Sequence, residues 1–151
     1  PVVGIAEAAM HVATMVATRF SIVTTLPRTV IIARHLLQQY GFEHHCAALH
    51  AIDLPVLALE DGTGLAQQKV RERCIQAKRE DNSGAIVLGC GGMANLASEL
   101  TQELGIPVID GVTAAVKMVE SLLALGLGTS KYGDLAYPNK KPLSGCFEML
   151  S

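Results

Sequence analysis

Cys90 stands in the most reactive-looking surroundings of any side chain in this sequence. It follows the apolar run Ala85-Ile86-Val87-Leu88 and is flanked by Gly89, Gly91 and Gly92. A thiol there sits between the end of a buried strand and the start of a helix, where backbone amides and the helix dipole favour a thiolate. Glycines on both sides let a ligand approach the backbone closely. The free amides could then hold a carboxylate or an enolate oxygen. The same residues could equally form a tight turn with Cys90 as a small apolar filler. Thr24 and Thr25 end another apolar run, just before Leu26-Pro27-Arg28. Their hydroxyls could bind a polar ligand, or Thr25 could cap the following helix.

Other polar residues have plainer readings. Glu7 suits the first turn of a helix, where the dipole favours an acid. Asp110, before Gly111 and Thr113, reads as a turn or cap residue. His44, His45 and Cys46 adjoin, but a metal would need further ligands that the sequence does not supply nearby. His11 and His50 read as ordinary helix or loop histidines. The glycine-rich turns match neither the phosphate loop of nucleotide triphosphatases nor the dinucleotide fingerprint. There is no G-x-S-x-G elbow of an acyl hydrolase.

Positioning these residues takes alternating elements. Short β-branched runs at residues 1–5, 20–25, 45–52, 85–89 and 107–110 are each followed by punctuation and then a helical pattern. The helices are expected over residues 7–19, 28–40, 65–79, 93–104 and 113–125. Alternation of this kind predicts βαβ units and an α/β fold, a parallel sheet with flanking helices. Strands apolar on both faces, such as Ala85 to Leu88, fit a sheet covered on both sides. Cys74 shares a helix face with Val70 and Ala77 and is expected in the core. Ligands of such sheets bind beyond the carboxyl ends of the strands, which is where Thr24, Thr25 and Cys90 fall. Beyond Gly126 the pattern stops, and residues 128–151 read as an extended tail.

Composition bounds the function classes. A chain of 151 residues, 50% apolar and 17% charged, fits one domain with a real core. Its net charge of −2 offers no basic footprint for nucleic acid. No apolar run reaches the roughly 20 residues needed to cross a bilayer. The four cysteines form no C-x-x-C pair, which points to free thiols in a reducing, cytoplasmic setting. The start at Pro1, directly on an apolar run, reads as a trimmed or fragmentary N-terminus.

Three segments together carry a resemblance: Gly4-Ile5-Ala6-Glu7-Ala8, the stretch Phe20-Ser21-Ile22-Val23-Thr24-Thr25-Leu26-Pro27-Arg28-Thr29, and Leu88-Gly89-Cys90-Gly91-Gly92-Met93. In this order they resemble the aspartate/glutamate racemase superfamily, and within it the hydantoin racemase branch, over nearly the whole chain. The resemblance implies a two-lobed, pseudo-symmetric enzyme of flavodoxin-like lobes with its site between them. It implies cofactor-independent racemisation of a small molecule, allantoin or a related 5-substituted hydantoin, in purine or ureide breakdown. Two cysteines would face opposite sides of the substrate carbon. Cys90 is the one that maps onto this chain, and none of Cys46, Cys74 or Cys146 lies in a matching motif. Thr24 and Thr25 would line the site, and Gly89, Gly91 and Gly92 would present backbone to the substrate, with no metal. Residues 1–17 would be the last strand and linking helix of the first lobe, 18–113 the second lobe, and 114–151 a helix and tail returning to the first. Relatives are longer, with the first lobe and its cysteine preceding the segment that matches Pro1. A cytoplasmic homo-oligomer with no nucleic-acid or membrane partner completes the expectation. The rivals are an aspartate or glutamate racemase and a non-catalytic ligand-binding or assembly fragment.

Overall fold

Ile22, Val23 and Thr24 are β-branched, and the segment that holds them, Phe20–Thr24, forms β1 with all five residues buried. The computed structural model describes residues 1–59, 63–142 and 144–150. Of the tail, residues 143 and 151 lie outside the described residues. β1 pairs in parallel with β2 (Cys46–Ala51) on one side and with β3 (Ala85–Leu88) on the other. β3 in turn pairs with β4 (Val108–Asp110), giving the order β2-β1-β3-β4.

Helices cover both faces. α1 (Ile5–Val16) and α2 (Pro27–Tyr40) bury Ala9, Met10, Ala13 and Leu37 against Phe20, Ile22, Ala85 and Val87. On the other face α3 (Leu65–Glu80) and α4 (Ala97–Leu104) pack Val70, Cys74, Ala77 and Leu100 on Val23, Ile86, Leu88 and Val108. Cys74 is fully buried there, as its helical spacing indicated. α5 (Gly111–Ala124) lies on α1 through Ala8, Ala114 and Ala115. That approach needs Gly111, because a Cβ there would come 2.4 Å from the Ile5 carbonyl oxygen. Asp110 caps α5 by accepting the Thr113 amide at 2.7 Å, as expected. Pro27 occupies the first turn of α2 and Gly41, at φ 77°, closes it.

Two of the expected elements fail. Residues 1–5 form no strand: the first four pair with no strand of the sheet, and Ile5 already begins α1. An apolar run becomes a strand only where a neighbour accepts its backbone groups, and the sheet of the described residues offers none there. The helix after Cys90 is also shorter than expected. Gly91–Leu96 forms 3-10 turns, and α4 begins only at Ala97. Paired glycines are poor helix formers, and the Met93 amide closes a tight turn onto the Cys90 carbonyl at 3.0 Å.

His50 is not the ordinary loop histidine that the sequence suggested. It lies on β2 and joins a buried polar cluster with Ser21, Asp81 and Arg73. Ser21 Oγ donates to Asp81 Oδ2 at 2.6 Å, and His50 Nε2 lies 2.6 Å from the same oxygen. Arg73 Nη2 sits 2.5 Å from His50 Nδ1. A guanidinium only donates, so Nδ1 accepts and the ring proton resides on Nε2, aimed at Asp81. The carboxylate thus clamps β1, β2 and the end of α3. Ser21 bonds to the carboxylate and not to the imidazole, so this is no nucleophile relay. Asp81→Ala should lower stability by about 3 kcal/mol, because it orphans two buried donors. Urea unfolding of the purified chain measures this; a midpoint equal to the parent's would show that the cluster holds nothing together.

Candidate active site

The parallel ladder runs one residue beyond β3, because the Gly89 amide donates to the Val23 carbonyl at 2.8 Å. That places Gly89 directly beside Thr24, the last residue of β1. The contact tolerates no side chain: a Cβ on Gly89 would lie 2.8 Å from Thr24 Cβ. The glycine is therefore demanded by packing. Cys90 follows in an extended conformation (φ −147°, ψ 132°) and opens the 3-10 segment without a side-chain cap. Its side chain is half-buried, while Gly89, Gly91 and Gly92 are exposed. The backbone on both sides of the thiol is thus exposed.

Thr24 and Thr25 are both buried, each 2% exposed. Thr24 Oγ1 lies 3.3 Å from the Gly89 carbonyl oxygen and 2.9 Å from Thr29 Oγ1. Thr25 does not cap α2, because Leu26 occupies the cap position. Thr29 does that work instead: its hydroxyl donates to the Leu26 carbonyl at 2.6 Å and accepts the Leu26 amide at 3.3 Å. The reading of Thr25 as a cap fails because Pro27 at the first helical position moves the helix start one residue on.

These groups share a cavity of about 190 Å³ at the carboxyl edge of β1 and β3. Thr24, Thr29, Gly89, Cys90 and Gly91 line it, with Ile5, Ala9 and Ile32 among the apolar walls. Its lining holds no Lys or Arg. Thr25 and Gly92 stand outside that lining, although a Cβ on Gly92 would lie 3.8 Å from Cys90 Sγ. Thr29 is the site residue missed in the sequence. Its signal was the hydroxyl at the third position of a helix opened by Pro27, where it folds back onto the cap. Glu7 lines a different, wider groove between α1 and α5, where His11 Nε2 is 3.9 Å from its carboxylate.

Position separates the thiols. Burial pushes the Cys74 thiol up to about 12 and Cys46 up to about 11. Both therefore stay protonated near neutrality. Cys146 is exposed and Cys90 half-buried within the cavity lining. No group of three or more potential metal ligands occurs among the described residues, and no helix among them is long and apolar enough to cross a membrane.

The parallel α/β lobe thus sets a thiol framed by glycines at the carboxyl edge of its sheet. The chain belongs to the Asp/Glu/hydantoin racemase family, whose sequence pattern matches residues 1–119. A hydantoin racemase from Rhizobium meliloti is 51% identical over 145 residues, 96% of this chain and 60% of that protein. The structure of allantoin racemase from Klebsiella pneumoniae is 81% identical with a TM-score of 0.91, covering 99% of this chain and 61% of that one. Allantoin racemase from Pseudomonas fluorescens is 43% identical with a TM-score of 0.85, covering 96% and 62%. Glutamate racemase from Francisella tularensis, at 23% identity and TM-score 0.60, shares the fold. The chain spans about three fifths of the length of these allantoin and hydantoin racemases.

With limiting iodoacetamide at neutral pH, Cys74 and Cys46 should stay unlabelled while Cys90 reacts; peptide mapping that finds Cys46 labelled ahead of Cys90 would reverse the assignment. The raised thiols also set a pH dependence. The unfolded chain loses these protons near the ordinary value of 9.0, before the folded chain does. Stability should therefore be complete below that value and fall as pH rises past it. The melting temperature should drop as pH rises from about 9 towards about 11, less steeply in Cys74→Ala; equal slopes in parent and variant would contradict the buried-thiol account.

Proposed function

We propose that, within a complete protein, this chain supplies one of two opposed thiols of a cofactor-independent racemase acting on allantoin or a related 5-substituted hydantoin. The observation that carries the reading is Cys90 in the cavity lining beside exposed Gly89 and Gly91, in a chain so similar to proteins named for that reaction. The substrate carbon lies next to a ring carbonyl. The Cys90 thiolate takes its proton on one face, and the electron pair moves onto the carbonyl oxygen as an enolate. Exposed amides at Gly91 and Gly92 are suited to hold that oxygen. The opposed thiol returns a proton to the other face. One proton leaves and one arrives, so no electrons are transferred and no cofactor is called for. Thr24, with Thr25 behind it, serves as the wall of the site, and Gly89 gives the ring its close approach.

The opposed thiol belongs to a first lobe. In this reading residues 1–17 and 114–151 complete that lobe, and 18–113 form the second. The groove of about 810 Å³ between α1 and α5, with the exposed apolar side chains Val2, Leu123 and Leu125, supports docking of further chain there. The complete enzyme is proposed to be a cytoplasmic homo-oligomer in purine or ureide breakdown. An aspartate or glutamate racemase is the weaker reading, because a free carboxylate calls for cations and the cavity lining has none. A non-catalytic fragment is the alternative for the chain alone, since its sequence supplies a single matching cysteine.

Polarimetry of each allantoin enantiomer with the complete protein should show rotation decaying to zero, with L-aspartate unchanged. Cys90→Ser should reduce that rate by at least about a hundredfold, the scale of one acid–base group, with the melting temperature kept. For the 151-residue chain alone, one enantiomer should gain deuterium from solvent without losing rotation. Rapid racemisation of both by this chain alone would reveal a second base within it.

A further inference from the structure

The Thr24–Thr29 hydroxyl pair has fewer protons than contacts. Thr29 Oγ1 lies 2.6 Å from the Leu26 carbonyl and 2.9 Å from Thr24 Oγ1. Thr24 Oγ1 lies 3.3 Å from the Gly89 carbonyl. Two protons serve these three contacts. With the Thr29 proton on Leu26, the Thr24 proton is drawn to the nearer Thr29 oxygen, and the Gly89 carbonyl is held loosely. The Leu26 carbonyl already accepts the Thr29 amide at 2.9 Å. Thr29 can therefore turn its proton to Thr24 without orphaning that carbonyl, and Thr24 then donates to Gly89. The Gly89 carbonyl belongs to the peptide that enters Cys90. A rotation of that peptide swings the Cys90 amide and the turn that carries the thiol.

We propose that Thr29 is a positioning residue for Cys90, acting through the Thr24 hydroxyl on the Gly89–Cys90 peptide. This rests on the reading of Cys90 as the acid–base thiol. Thr24 is buried and packed tightly against Gly89, so a change in its hydroxyl partner passes directly to that peptide. Thr29, Thr24, Gly89 and Cys90 all border the same cavity, so a bound substrate can select between the two proton arrangements.

Thr29→Val keeps the shape and removes the hydroxyl, whereas Thr29→Ser keeps the hydroxyl. Two readouts are taken: iodoacetamide labelling of Cys90 relative to exposed Cys146 in this chain, and kcat and KM for allantoin in the complete protein. Thr29→Val should lower the labelling ratio about threefold and kcat about tenfold, with KM within about twofold, as expected for a thiol displaced by a fraction of an ångström. Thr29→Ser should restore both. A labelling ratio and kcat equal to the parent's in Thr29→Val would overturn the proposal, as would Thr29→Ser behaving like Thr29→Val. Should Thr29→Val lack a melting transition, Thr29→Ala, a better helix former, replaces it under the same criteria. A parent protein that leaves allantoin unracemised while Thr29→Val lowers the labelling ratio defeats the functional reading and upholds the positioning role. A racemising parent with no change in either readout defeats the positioning role alone.

Discussion

β1 and β3 are joined in parallel register from Phe20 with Ala85 to Val23 with Leu88, and the Gly89 amide extends the ladder past the last paired residue. Nearly everything of chemical interest hangs on that register. It sets Thr24 against Gly89 so closely that no Cβ fits between them. It brings the end of β3, and with it Cys90, to the same edge as the start of α2. Shifting the pairing by one residue would turn the alternate side chains to the opposite face. Thr24 would then leave the cavity, and the valine and isoleucine side chains would exchange their cores.

The two ends of β1 serve different purposes. Near the amino end, Ser21 enters a buried cluster in which the carboxylate of Asp81, the residue that caps the end of α3, gathers donors from two strands. Such a cluster is worth most when its donors are met, and it ties α3 to the two strands beside it. At the carboxyl end the polar groups are fewer and their protons less firmly committed. Loose hydrogen bonding is a cost in a structural cluster and an asset at a site that must accept a ligand. The division fits a fold whose ligands meet the strand ends and whose stability resides elsewhere.

The outer surface of α1 and α5 adds another constraint. The two helices meet so closely at Ile5 and Gly111 that a methyl group could not be inserted. Beside that contact a wide groove stays uncovered, and residues 126–142 run exposed beyond it. The chain spans about three fifths of the allantoin and hydantoin racemases it matches.

The α/β class, the four sheet strands and the core place of Cys74 were legible in sequence, because apolar periodicity records how many faces of an element are covered. The Cys90 turn was legible for the same local reason, since glycines around a strand-end cysteine are a pattern of adjacent residues. Where the partner lies far along the chain, the sequence was silent. Whether residues 1–5 formed a strand depended on a neighbour, and the described residues provide none. His50 looked ordinary because Asp81 and Arg73 are distant in sequence and meet it only across the sheet. Whether Thr25 capped α2 was open until Pro27 set the helix start and Thr29 folded back on Leu26. Local pattern determined the elements and nominated the thiol. Only the packed sheet decided which hydroxyls surround it, because hydrogen-bond partners are set by distance in space and not by distance along the chain.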